Sequence, residues 1–132
     1  MRIKQVLIVC AAILIMVLDV NAEQLKIEAA SDAQRNLIQA ALGDQYPISR
    51  TAVIKSGNHG RAYYVGAVFH AKGVGNVTGI WLVGGDKNSP KGLVLSVDGA
   101  AHQFSGMRKA SKTKASATIN DPEARALKNH LK

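Results

Sequence analysis

The chain has 132 residues, a formal net charge of +8 and one cysteine, Cys10. That length accommodates one domain. From Glu23 onward there is no cysteine, which excludes a disulfide-stapled scaffold, a thiol enzyme and a zinc-thiolate module, so stability has to come from an ordinary hydrophobic core.

The first 22 residues have the layout of a secretory signal peptide. Arg2 and Lys4 form a positive start, residues 6–18 are an unbroken apolar run, and Asp19, Val20, Asn21 and Ala22 supply a polar break with short side chains before a cut after Ala22. As a membrane anchor the run would make a helix of about 20 Å, short of the ~30 Å hydrocarbon core. Cys10 lies inside the run, the wrong place for a lipid-modified cysteine. Residues 23–132 then form a single small domain that keeps 15 basic residues against 8 acids, a net charge of +7.

Residues 24–30, with Leu25 and Ile27 alternating with Lys26 and Glu28, read as an edge strand or an ordered lead-in. Ser31 and Gln34 make a capping-box pair, and Leu37, Ile38, Ala41 and Leu42 recur at helical spacing before Gly43 stops the helix. After Pro47, Ile48, Ala52 and Ile54 are assigned to one face of a strand over 48–56, near an edge. A Gly-containing turn at 56–60 leads into a strand that is apolar on both faces and therefore central. The third strand carries Ile80, Trp81, Leu82 and Val83. The fourth points Leu93, Leu95 and Val97 inward, with Val94 and Ser96 outward. Asp98 caps a short helix from Gly99 to about Phe104, residues 105–118 read as a long exposed loop, and Asp121, Pro122 and Glu123 open a final helix with Ala124, Leu127 and Leu131 on its apolar side. The sum is an α+β fold of two layers: an N-terminal helix, a four-stranded antiparallel sheet of hairpins, a short helix and a C-terminal helix.

Few residues point to chemistry. Arg108, Lys109, Lys112 and Lys114 hold four cations and no acid, a pattern suited to phosphate, anionic headgroups or an acidic protein. No aromatic side chain is interleaved with them, which disfavours nucleic acid. Trp81 is expected to be buried on at least one strand face; if exposed, it is the aromatic candidate for a binding contact. His59, His70, His102 and His130 lack the local spacing of a metal site. Ser96, Asp98 and His102 would be the members of a hydrolase grouping, but Asp98 is better explained as a helix cap and Ser96 as an outward strand residue. The glycines of 73–79 stand between strands, not before a helix, so a hairpin explains them better than a phosphate loop. Residues 76–78 form a glycosylation sequon, with meaning only in a host that glycosylates. No catalytic residue, metal or cofactor is expected.

The succession YYVGAVF, GIWLVGG, GLVLSVDGAAHQFS and INDPEARALKNHL resembles a pattern in small exported bacterial proteins of unknown function, over about residues 61–131. The resemblance implies export and an α+β fold and transfers no catalytic residue. The chain differs from that pattern in being basic at 108–114. The reading that follows is an exported, periplasmic or extracellular, non-catalytic binding or accessory module for an envelope protein or an anionic surface component. The alternatives are an anionic-polymer or nucleic-acid binder acting through 108–114, and a small hydrolase.

Overall fold

The computed structural model describes residues 25–132, so the signal sequence expected at 1–22 lies outside the described residues. Helix α1 spans Asp32–Leu42 and is followed by strands β1 (Ile48–Lys55), β2 (Ala62–Ala71), β3 (Gly75–Gly85) and β4 (Pro90–Ser96). Helix α2 (Gly99–Ser105), a 3-10 turn (Ala110–Lys112) and helix α3 (Pro122–His130) complete the chain. The strands form one antiparallel sheet in the order β1-β2-β3-β4. This is the α+β fold expected, with its elements in the expected order.

Local chemistry explains most boundaries. The Ser31 hydroxyl accepts from the Gln34 amide at 3.1 Å while the Gln34 side chain accepts from the Ser31 amide at 3.1 Å, so two orphan donors at the start of α1 are satisfied reciprocally. The Asp98 carboxylate accepts from the Ala101 amide at 2.9 Å and opens α2, which closes on Gly106 in the left-handed conformation (φ 69°). The lead-in contributes a single antiparallel bridge, Glu28 to Val53, on the outer side of β1.

The number of layers differs from expectation, because helices cover both faces of the sheet. One face packs Val53, Val65, Phe69, Trp81 and Val83 against Ile38 and Leu42 of α1 and Ala101 of α2; the other packs Ala52, Ile54, Tyr64, Val68, Ile80 and Leu82 against Ala124 and Leu127 of α3 and Leu131 beyond it. The two-sided apolarity of β2 demands this second cover. Gly66 eases it: a Cβ there would lie 2.5 Å from Leu131 Cδ1 and 3.2 Å from Ile80 Cδ1, so any larger residue would make the Leu131 side chain shift.

Three further expectations are corrected. A register shift between Ile48 and Arg50 puts Ile48 on the α1 face with Val53, away from Ala52 and Ile54. Ser96 does not face outward. It is 1% exposed, its amide donates to the Arg108 carbonyl at 2.8 Å and its hydroxyl to the Met107 carbonyl at 2.9 Å. Leu93, expected inside, is 55% exposed, in the middle of β4 where the ladder to β3 shifts register.

Residues 105–118 are not a free loop either. Ala110 and Ala117 are buried in the α3-side core, and Ser96 and Lys109 form a parallel bridge along β4. Small apolar side chains without a regular period pin this segment to the sheet. Its charged side chains face away from it.

Candidate functional site

The four cations of 108–114 are carried over the edge of β4 by that pinned segment. Arg108, Lys109, Lys112 and Lys114 are all exposed, and among the described residues none forms an ion pair with a carboxylate. Helix α3 adds a second group that sequence reasoning missed. Arg125, Lys128 and Lys132 share one shallow depression with Asn120 and Asn129. Arg125 and Lys128, three residues apart, lie on one side of the helix and Lys132 follows just past its end, a signal present in the sequence but overshadowed by the denser run before it.

The acids of this region point the other way. Asp98 has a side chain 6% exposed; it accepts from the Ile80 amide at 3.2 Å as well as the Ala101 amide, and it pairs with the half-buried Lys128 ammonium, which also donates to the Thr78 carbonyl at 2.6 Å. Asp121 was expected to cap α3 with its side chain. The carboxylate instead accepts from the Tyr64 hydroxyl at 2.6 Å and the Thr118 amide at 3.1 Å. Glu123, 6% exposed, accepts from the Gly57 amide at 3.2 Å. Every acid from residue 98 onward is thus turned inward onto a structural donor. The surface here is more positive than composition alone implies.

The Tyr64 hydroxyl sits at the centre of that inner network. Burial pushes its pKa well above the ordinary phenol value, reinforced by the hydrogen bond to Asp121 and the negative charges of Asp121 and Glu123. Because the folded-state pKa is raised, this contribution to stability is complete below the unfolded value near ~10 and is lost as pH rises from there toward the folded value. Above pH ~10 the unfolding free energy of the wild type is expected to fall by up to ~1.4 kcal/mol per pH unit from this group. Urea titrations at stepped alkaline pH check this: Tyr64→Phe should show a shallower decline, and parallel declines would exclude the assignment.

The possible catalytic groupings do not assemble. Ser96 Oγ and His102 Nδ1 both point to the Met107 carbonyl, each at 2.9 Å, and Asp98 is engaged with Lys128 and backbone amides. A second serine–histidine pair does exist. Ser56 Oγ lies 2.6 Å from His59 Nδ1, and His59 Nε2 lies 2.7 Å from the Ala115 carbonyl. A ring nitrogen facing a carbonyl carries the proton, so Nδ1 accepts from Ser56. Ser56 is 6% exposed and its oxygen also accepts the His59 amide at 3.1 Å. The pair locks the β1–β2 turn to the 110–118 segment.

Trp81, the aromatic candidate for a binding contact, is fully buried. Its indole N–H donates to Ser105 Oγ at 3.0 Å and its ring packs on Phe69. It belongs to the core and not to a contact surface. The surface that is apolar and open lies elsewhere, in a groove of about 550 Å³ between α1 and β4 lined by Leu37, Ala40, Ala41, Gly92 to Leu95, Met107 and Arg108.

Among the described residues no group of three or more His, Cys, Asp or Glu side chains could hold a metal ion, and no helix is long and apolar enough to cross a membrane. No family model, curated protein or solved structure matches this chain.

Proposed function

We propose that this chain is an exported, non-catalytic binding module that attaches to an anionic component of the cell envelope through its basic face. One observation carries the reading: from residue 98 onward the acids are turned inward while Arg108, Lys109, Lys112, Lys114, Arg125 and Lys132 face solvent with no carboxylate partner among the described residues. Clustered cations of one sign raise the local concentration of an anionic partner and accelerate its encounter. The non-catalytic part is supported by the commitment of the serine, histidine and aspartate side chains to structural hydrogen bonds. Export is supported by the n-, h- and c-regions of residues 1–22 and by the resemblance to small exported bacterial proteins.

The test uses protein recovered from the exported fraction, whose N-terminus by mass spectrometry is expected at Glu23. Binding to heparin and to vesicles rich in anionic lipid is expected at ~0.05 M salt and should weaken steeply as salt rises, with a log–log slope that counts the charges neutralised, by analogy with ~0.9 per phosphate on duplex DNA. Replacing Arg108 and Lys109 by Ser and Lys112 and Lys114 by Gln should remove most of that slope. Exposed charges contribute within about 0.5 kcal/mol to stability, so the melting temperature should hold. Salt-independent binding, or none at low salt, would refute the reading, as would recovery of the full-length chain from the cytoplasm alone.

A further inference from the structure

We infer that the groove between α1 and the outer edge of β4 receives an extended segment of a partner polypeptide bearing alternate apolar side chains and a carboxylate. This goes beyond attachment through the basic face and concerns the apolar groove that adjoins that face at Arg108.

The first support is the strand edge. Strand β4 is last in the sheet, and at Ser96 its outer side already holds the chain's own residues 108 and 109 in a parallel bridge. Strand groups repeat every two residues, so Val94 presents its N–H and C=O to the same side. Among the described residues neither group has a backbone partner there. An unpaired edge of this kind is the template on which an added strand forms its main-chain hydrogen bonds.

The second support is what borders that edge. Leu37, Ala40 and Ala41 of α1 form one wall and Met107 closes an end, with Leu93 exposed beside them. A strand laid along β4 would direct every second side chain toward this apolar wall, and the small Ala40 and Ala41 leave room for it.

Charge selects the occupant. Among the described residues Arg108 is the only charged one lining the groove, and the exposed Lys91 and Lys109 extend the same sign along β4. Two copies joined through this edge would bring these like charges together, whereas a segment with a carboxylate beside Arg108 would neutralise them. The complementary partner is therefore an acidic, apolar strand and not a second copy.

The probes are two end-capped nine-residue peptides of alternating Val and Thr, one with a central Glu and the other with a central Lys, added to the isotope-labelled exported protein. The Glu peptide should shift the Val94 amide resonance, slow its hydrogen exchange at least tenfold, and bind at least tenfold more tightly than the Lys peptide. Arg108→Glu should reverse that preference, and Ala40→Arg, an exposed change to a good helix former, should abolish both interactions. Lys112→Gln with Lys114→Gln should weaken heparin binding and leave the Glu peptide bound, which separates this inference from the basic-face reading. The inference is overturned if the Glu peptide does not bind, if both peptides bind equally, or if shifts occur only around 112–114. It is equally overturned if Val94 is already protected without peptide, either in a concentration-dependent dimer or only when residues 1–22 are retained.

Discussion

Trp81→Ala should lower the unfolding free energy by roughly 3–5 kcal/mol, the largest single-residue effect expected in this chain. The indole is fully buried against Phe69, and its surroundings are built to its shape. A Cβ added at Gly79 would lie 2.6 Å from Trp81 Cη2 and 3.3 Å from the Ala101 Cα, so ring, strand and α2 are in direct contact. Removing the ring leaves a cavity between β3 and α2 that neither rigid element can close, and it strips Ser105 of its indole donor. For a domain of this size the loss should appear as a fall of more than ~10 °C in melting temperature, followed by circular dichroism because the only tryptophan is gone. A shift of a degree or two would show that the ring does not hold α2 on the sheet.

Asp98→Ala should cost about 2–4 kcal/mol, although it removes only a small polar side chain. One carboxylate serves three elements: it caps α2 through the Ala101 amide, satisfies the Ile80 amide of β3 and pairs with Lys128 of α3. Truncation orphans two backbone donors and leaves the half-buried ammonium with only the Thr78 carbonyl, and buried unsatisfied donors cost about 1–3 kcal/mol each before relaxation. Two companion variants divide the effect. Asp98→Asn retains an acceptor for the amides and should lose less, while Lys128→Met removes the pair together with the hydrogen bond to the Thr78 carbonyl, from a lysine side chain that is 34% exposed, and should cost about 1 kcal/mol. Urea midpoints for the three variants check the ranking. If Lys128→Met proved the most damaging, the lysine's contacts and not the cap would dominate.

These two residues mark where sequence reading stops. Asp98 was legible as a helix cap because the signal is local: a side chain, an amide three residues on and the chain between them. The Ser31–Gln34 capping box, the Pro122 start of α3 and the hairpin connections were legible for the same reason, and with them the α+β class and the element order. The exposed cations of 108–114 were readable too, since charge without an apolar period seeks water.

Other features depended on which distant atoms meet. Nothing near Asp98 in sequence indicates Lys128 or Ile80 as its partners, and nothing near Asp121 shows that the Tyr64 hydroxyl takes its carboxylate away from its own helix. Ala110 and Ala117 lack the periodicity that marks a core segment, yet Ala110 completes the core beside β4 once the Ser96 amide has paired with Arg108. The sequence by itself determined the local units and the sign of the surface charge, because propensity, capping and solvation act over a few residues. Only the tertiary structure decided that helices close both faces of the sheet, that Ser96 turns inward and Leu93 outward, and that an apolar groove opens beside Arg108. Those outcomes rest on packing between residues far apart in the chain, where a register shift at Ile48 changes which surfaces touch and one missing Cβ at Gly66 eases their contact.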